Sequence, residues 1–134
     1  MELVVGMGKY VISNNEDDII KTFALGSCVA VTVYSTEKKA AGMIHVVLPS
    51  LLRSKDIVER PGYFAVTGVP LLINAICQKY SCQKEELCIQ MFGGADSING
   101  QDIYKVGRKN IYAVKLSLLN MGLTIQKADL RGNE

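Results

Sequence analysis

The chain has 134 residues, 49% of them apolar and 21% charged, a composition that favours one compact domain and excludes a disordered chain. Fifteen basic and 13 acidic residues leave a net charge of +2 with no basic cluster, so we expect no nucleic-acid partner. No basic segment with a following apolar stretch opens the chain, and no apolar run approaches the roughly 20 residues that span a bilayer. The sequence therefore predicts a single domain over residues 1–134, a cytoplasmic location and no insertion into a membrane.

The four cysteines are predicted to be free thiols because nothing in the sequence indicates secretion. Cys77 and Cys88 fall in apolar patterns and are expected to pack, whereas Cys82 is expected to be exposed. The irregular cysteine spacing and the distant single histidine do not match a zinc site, so we expect no metal and no cofactor.

Strand-forming residues dominate the first half of the chain. Residues 2–13 are predicted to form one bent strand, and a polar turn separates it from a second strand at 19–25. The apolar runs at 28–34 and 41–48 predict a hairpin with a loop of about six residues. Residues 51–62 are polar and without period, and they predict a mobile surface loop.

Helical periodicity appears only in the second half. Thr67 is the predicted N-cap of a helix that ends near Tyr80, with Pro70 in its first turn. The spacing of Ile111, Val114, Leu118 and Met121 predicts another helix, ended by a left-handed residue at position 122.

Two further strands are predicted around these helices, at 87–92 and 123–126. The first runs into Gly93 and Gly94, where a positive φ or a close backbone approach is expected, and into a loop at 95–100. Strands outnumber helices without regular alternation. The predicted fold is therefore α+β, a layered sandwich of mixed sheet with two main helices on one face.

Two side chains in the predicted hairpin have chemical potential. His45 lies in an otherwise apolar strand, where its ring needs a hydrogen-bond partner. Cys28 follows Gly26-Ser27 at the start of the preceding strand, where a side chain can be exposed and backbone N–H groups left unpaired. If paired positions of the hairpin sum to 73 or 75, Cys28 faces His45 directly or diagonally, and an imidazolium there would lower the pKa of the thiol.

Simpler interpretations stay open at this point. A buried cysteine commonly behaves as a small apolar residue, and a histidine in a strand is often a hydrogen-bonded core residue. Thr22 has the reach to bond the second nitrogen of His45, although an isolated strand threonine usually has no such role. An even sum of paired positions would separate Cys28 and His45 onto opposite faces.

The chain resembles the chemoreceptor glutamine deamidase family CheD. Residues 22–31 resemble the family segment T-x-x-L-G-S-C-V-A-V, and residues 41–49 resemble its G-x-x-H-x-x-L-P segment. Shorter similarities follow in family order at 61–65, 92–95, 106–110 and 129–133.

The resemblance implies that Cys28 is the nucleophile, His45 its general base and Thr22 the residue that orients the imidazole. It implies a helical chemoreceptor surface as substrate and a CheC-type phosphatase as second partner. Backbone N–H groups are the implied oxyanion or substrate-binding groups, from Gly26, Ser27, Gly93 and Gly94.

The chain departs from the family pattern in its first helix and ends at Glu134, before a segment that members generally have, so the resemblance implies a shortened C-terminus. Two functional classes stay open: a cysteine amidohydrolase that acts on receptor glutamines, and an interaction module that stimulates the phosphatase with little catalysis of its own.

Overall fold

Twelve regular elements are present in residues 1–95 and 105–130, the part of the chain that the computed structural model describes, and two of them are short 3-10 helices, Pro61–Tyr63 and Lys84–Glu86. Seven strands and three helices follow each other as β1 (Glu2–Val4), β2 (Tyr10–Ser13), β3 (Ile19–Lys21), β4 (Val29–Ser35), β5 (Ala40–Val46), α1 (Asp56–Glu59), α2 (Ala65–Tyr80), β6 (Cys88–Gly93), α3 (Val106–Asn120) and β7 (Lys127–Leu130). Within these ranges no helix is long and apolar enough to cross a membrane.

The strands form two sheets. Five of them are ordered β2-β5-β4-β6-β7, with antiparallel neighbours except for the parallel pair β6 and β7, and the short strands β1 and β3 form a separate parallel pair. This mixed architecture with two main helices confirms the predicted α+β class.

The two faces of the central hairpin have different roles because side chains alternate along a strand. Val29, Val31 and Val33 of β4 join Ile44 and Val46 of β5 in the core. The helices complete that core with Val69, Leu72, Ile73 and Ile76 of α2 and with Val114 and Leu118 of α3. The opposite face of the hairpin, which carries Ala30 and His45, is turned away from the helices.

The single strand predicted at 2–13 is wrong, because the chain turns between β1 and β2. Gly8 adopts a φ of +74°, and its N–H donates to the carbonyl of His45 at 2.8 Å. The strand predicted at 19–25 likewise stops at Lys21. Ala24 takes a left-handed φ of 55°, which a continuing strand does not allow.

Two further element boundaries differ from the prediction. The loop of the β4–β5 hairpin has four residues, 36–39. The last strand begins at Lys127 rather than Leu123, because the N–H of Leu123 still donates to Leu118 of α3 and the chain must then cross to the sheet edge. The loop predicted at 95–100 lies, after Ala95, outside the described residues.

Helix α2 begins at Ala65, so the predicted N-cap role of Thr67 is wrong. Phe64 is the N-cap; it is fully buried and bridges to Leu48, which fixes the start of the helix three residues earlier. The hydroxyl of Thr67 instead donates to the carbonyl of Pro61. Pro70 consequently lies beyond the first turn, inside the helix.

The segment predicted as a mobile loop contains helix α1 and a buried carboxylate. The side chain of Asp56 has no exposed surface. Its carboxylate accepts hydrogen bonds from the backbone N–H groups of Leu52 at 3.2 Å and Arg53 at 3.0 Å. It also forms ion pairs with the side chains of Arg53 at 3.0 Å and Arg60 at 3.4 Å. Burial opposes ionisation of this carboxyl, but the hydrogen bonds and charges of Arg53 and the charge of Arg60 outweigh it and hold its pKa below the usual range.

We expect Asp56→Asn to lower the Tm at pH 7 by several degrees, because the two arginines lose their anionic partner. A lowered folded-state pKa stabilises the fold fully above the unfolded value of about 3.9, and this contribution disappears as the pH falls through the folded value. The Tm difference is therefore constant above about pH 5 and closes below about pH 4. Glu59→Gln, an exposed partner of Arg53, is the matched control in thermal melts. A difference that persists unchanged at pH 2.5 would contradict the assignment.

Candidate active site

The imidazole of His45 is held by a hydrogen-bond chain that crosses between the two sheets. Thr22, directly after β3, places its Oγ1 2.8 Å from His45 Nδ1 and 2.6 Å from the carbonyl oxygen of Val5. The pairing of β1 with β3 fixes this position, since the N–H of Val5 donates to Lys21 at 2.8 Å.

This chain determines the tautomer of His45. A carbonyl oxygen only accepts, so the single hydroxyl proton of Thr22 is donated to Val5. The hydroxyl then accepts from His45, and Nδ1 carries the ring proton. Nε2 is left with its lone pair; it is buried and forms no hydrogen bond with the described part of the chain. Burial also lowers the pKa of His45, which keeps the imidazole neutral.

We expect Thr22→Val to lower kcat for any reaction in which His45 acts as a base by about 10- to 100-fold, because the isosteric side chain neither accepts from Nδ1 nor fixes the tautomer. Thr22→Ser keeps the hydroxyl and is the matched control. The nitrogen chemical shifts of His45 report the tautomer independently of turnover. A valine variant with wild-type kcat and unchanged shifts would show that Thr22 does not orient the ring.

Cys28 lies on the same sheet face as His45. In the register of β4 and β5, Ala30 is opposite His45 and Val29 is opposite Val46, so paired positions sum to 75. Cys28 therefore lies one diagonal step from His45, as one of the two odd sums predicts, at a distance that long side chains bridge. No hydrogen bond joins the thiol to Nε2 in this structure.

Cys28 is only 7% exposed, so the side-chain exposure that its sequence position allows is not realised. The turn before it folds back, and its N–H donates to the carbonyl of Leu25 at 2.6 Å. Burial raises the pKa of the thiol. Together with the lowered pKa of His45, this favours a thiol beside a neutral imidazole over the thiolate and imidazolium considered from the sequence.

A junction of three glycines supports the cysteine from the other side. The N–H of Gly94 donates to the carbonyl of Cys28 at 2.8 Å. A Cβ on Gly93, whose φ is +101°, would lie 2.3 Å from that carbonyl oxygen, and a Cβ on Gly107 of α3 would lie 2.4 Å from the oxygen of Gly94. The backbones of β6, β4 and α3 thus meet where no side chain fits.

These contacts show which of the candidate oxyanion N–H groups already have a backbone acceptor. The N–H groups of Cys28 and Gly94 are already occupied by Leu25 and by Cys28. Among the described residues, the N–H groups of Gly26 and Ser27 donate to no protein acceptor. Gly26 is exposed and has a φ of +48°, and Ser27 is half-buried. The exposed side of this turn therefore presents the donors available to a substrate oxygen.

The cysteines outside the site have no comparable partners. Cys82 is 8% exposed and belongs to the core, so the exposed position predicted for it is wrong. Cys77 packs against the same core, and burial raises the pKa of its thiol. Residues 1–95 and 105–130 contain no group of three metal-ligating side chains.

Comparisons with known proteins identify the family of the chain. Residues 47–134 match the family profile CheD, described as CheD chemotactic sensory transduction. The chain is 41% identical over 135 residues to a probable chemoreceptor glutamine deamidase CheD of Syntrophotalea carbinolica, covering 98% of this chain and 83% of the relative. The chain belongs to the CheD family.

Similar CheD proteins occur in archaea. The chain is 35% identical to a probable chemoreceptor glutamine deamidase CheD of Methanococcus maripaludis strain C5, over 99% of this chain and 84% of the relative. The corresponding protein of Pyrococcus horikoshii is 33% identical over 98% and 80%. The profile match begins after Thr22, Cys28 and His45, whereas these pairwise similarities cover nearly the whole chain.

Two contributors to this CheD site were not singled out from the sequence. The carbonyl of Val5 carries no sequence signal, because any residue supplies one. Asn110 of α3 is fully buried and bonds the turn that carries Cys28. Its signal is a polar amide four residues before Val114, within the apolar stripe of the helix.

Proposed function

We propose that the chain is a chemoreceptor glutamine deamidase that hydrolyses the side-chain amide of receptor glutamines to glutamate, with Cys28 as nucleophile. Membership of the CheD family supports the reaction and its substrate class. The observation that carries the residue assignment is the position of His45, whose Nδ1 is bonded to Thr22 and whose sheet face also holds Cys28 in the register of β4 and β5.

The first half of the reaction forms a thioester. As Cys28 Sγ attacks the amide carbon of the glutamine, Nε2 of His45 takes the thiol proton. The negative charge that develops on the amide oxygen is stabilised by the N–H of Ser27. The imidazolium then returns its proton to the amide nitrogen, which leaves as ammonia while Cys28 remains acylated.

The second half releases glutamate by hydrolysis of the thioester, with water as the nucleophile and Cys28 as the leaving group. Nε2 accepts a proton from a water molecule that attacks the thioester carbon, and the imidazolium reprotonates the departing sulfur. One water is consumed and one ammonia is released for each glutamate formed. Thr22 stabilises the imidazolium at both stages, because its hydroxyl oxygen accepts from Nδ1 throughout.

The surface beside the site is suited to a protein substrate. Phe23 is 62% exposed between Thr22 and the Cys28 turn, and the amine of Lys21 lies 5.3 Å from its ring centre. An exposed aromatic side chain with a neighbouring cation is a common contact in protein interfaces. We include in the proposal a cytoplasmic location, the cytoplasmic helices of chemoreceptors as substrate and a CheC-type phosphatase as second partner.

The deciding experiment incubates the full chain with the cytoplasmic fragment of a chemoreceptor from the same cell in oxygen-18-labelled water. We expect glutamine to become glutamate at defined positions, with one labelled oxygen in each new carboxylate and an equal amount of ammonia. Heat-denatured protein and receptor alone are the controls. Folded protein that converts no glutamine on such a receptor would reject the proposal and leave the interaction module as the interpretation.

A further inference from the structure

Asn110 connects the two strands of the hairpin at the point where their own ladder stops. Its side chain is fully buried on α3, and Nδ2 donates to the carbonyl of Ser27 at 2.9 Å and to that of Val47 at 2.8 Å. Paired residues of β4 and β5 end with Val29 opposite Val46. The next pair in that register is Cys28 opposite Val47, so the amide spans the strands one step beyond the last pair.

Both carbonyls belong to residues that set the position of the site. Ser27 precedes Cys28 directly, and Val47 is two residues after His45. Without Asn110, the backbone at Cys28 is held by Leu25 of its own turn and by Gly94, directly after β6, and neither belongs to the strand that carries His45. The amide is thus a direct link between the cysteine turn and the histidine strand.

The orientation of this amide follows from chemistry. Two carbonyl oxygens accept and cannot donate, so only the NH₂ group of Asn110 satisfies both. Its Oδ1 is consequently buried without a partner among the described residues. An unpaired buried acceptor is unfavourable, and each such group in a folded protein needs an explanation other than packing.

We propose that Asn110 is a positioning residue that fixes Cys28 relative to His45 for the deamidation. This inference rests on the proposed function. The two hydrogen bonds that its NH₂ group donates hold the cysteine turn against the end of β5. The distance and orientation of the Cys28 thiol relative to the His45 imidazole depend on that link. The unpaired Oδ1 is the consequence of using both donors on one side.

The activity test compares Asn110→Ala with Ser117→Ala. Ser117 is a matched control because it is buried on the same helix and its hydroxyl donates to a carbonyl, that of Ala65, at 3.4 Å. We expect Asn110→Ala to lower kcat by about 10- to 100-fold with KM within twofold, since small displacements of reacting groups have effects of this size. Ser117→Ala keeps the wild-type kcat. Equal kcat values for the two variants, measured below both Tm values, would overturn the proposal.

A second measurement separates this proposal from the deamidation itself. The rate at which iodoacetamide alkylates Cys28, followed by peptide mass spectrometry, is measured for wild type, His45→Gln, Asn110→Ala and the double variant. We expect His45→Gln to slow alkylation by about tenfold in the wild-type background and less than twofold beside Asn110→Ala, because residues that act through one geometry are not additive. If His45→Gln slows alkylation by the same factor in the wild type and in Asn110→Ala, or has no effect in either, the positioning role is overturned.

The outcomes distinguish the two proposals. If no receptor glutamine is converted but the alkylation cycle is non-additive, the proposed function fails, whereas the link by which Asn110 holds Cys28 relative to His45 stands without a role in deamidation. If receptor glutamine is converted but the alkylation cycle is additive, the proposed function stands and the positioning role of Asn110 fails. If Asn110→Ala does not fold, Asn110→Ser takes its place, because a hydroxyl donates to one of the two carbonyls and an intermediate loss of kcat is then expected.

Discussion

Cys28→Ala is expected to abolish receptor deamidation, with kcat lower by at least about 10⁴-fold. The thiol of Cys28 is one diagonal step from His45 in the register of β4 and β5, and the alanine side chain forms no thioester. Because Cys28 is buried with a carbonyl and an N–H that stay bonded to Gly94 and Leu25, the variant retains its fold. Conversion of glutamine is measured by mass spectrometry of the receptor fragment, and the fold by thermal melts.

The matched control for this variant is Cys77→Ala, which removes a partly buried thiol from α2, away from the hairpin. We expect wild-type kcat for it. A Cys28→Ala protein that still deamidates at a tenth of the wild-type rate would exclude covalent catalysis by this residue. Loss of activity in both variants would instead indicate a general sensitivity to cysteine replacement.

His45→Gln is expected to lower kcat by about 10²- to 10⁴-fold, the usual contribution of a general base. In the wild type, kcat/KM falls at acid pH because protonated His45 cannot accept the thiol proton. Burial lowers the pKa of His45, so the midpoint of this fall lies below the ordinary histidine value of about 6.5. The raised pKa of Cys28 leaves no second fall near neutrality.

Profiles of kcat/KM against pH for the two proteins test this assignment. The residual activity of His45→Gln is expected to lack the acid fall and to rise with pH, as free thiolate becomes more abundant. A wild-type profile with its acid midpoint above 6.5 would contradict a neutral, buried base. An unchanged acid fall in His45→Gln would assign that titration to another group.

The hairpin could be predicted from the sequence because two of its signals agree. The β-branched run of β4 and the apolar run before Pro49 fix two strands, and a short connection restricts their register. The sequence left the exact register open, and the observed sum of 75 makes the relation of Cys28 to His45 diagonal. The bond between Thr22 and His45 depended on family resemblance, because β3 reaches His45 through pairing with β1, a contact between distant parts of the chain.

Burial at the site could not be predicted from local pattern. The sequence places Cys28 after a Gly-Ser turn, which usually exposes a side chain, but the turn closes on Leu25 and the Gly94 backbone covers the other side. The role of Asp56 was missed for a similar reason, because its partners Arg53 and Arg60 look like solvent-exposed charges when read singly. Tertiary contacts decided both cases.

Side chains alternate between the two faces of β4 and β5, so the register that builds the core also positions the site. Val29, Val31 and Val46 point into the core, whereas Cys28 and His45 occupy the other face of the same two strands. A slip of one residue in this pair would bury the dyad residues among the helices and turn the valines outward. Molecules with the wrong register would therefore expose apolar surface, which cellular quality control recognises, and would not persist as folded but inactive protein.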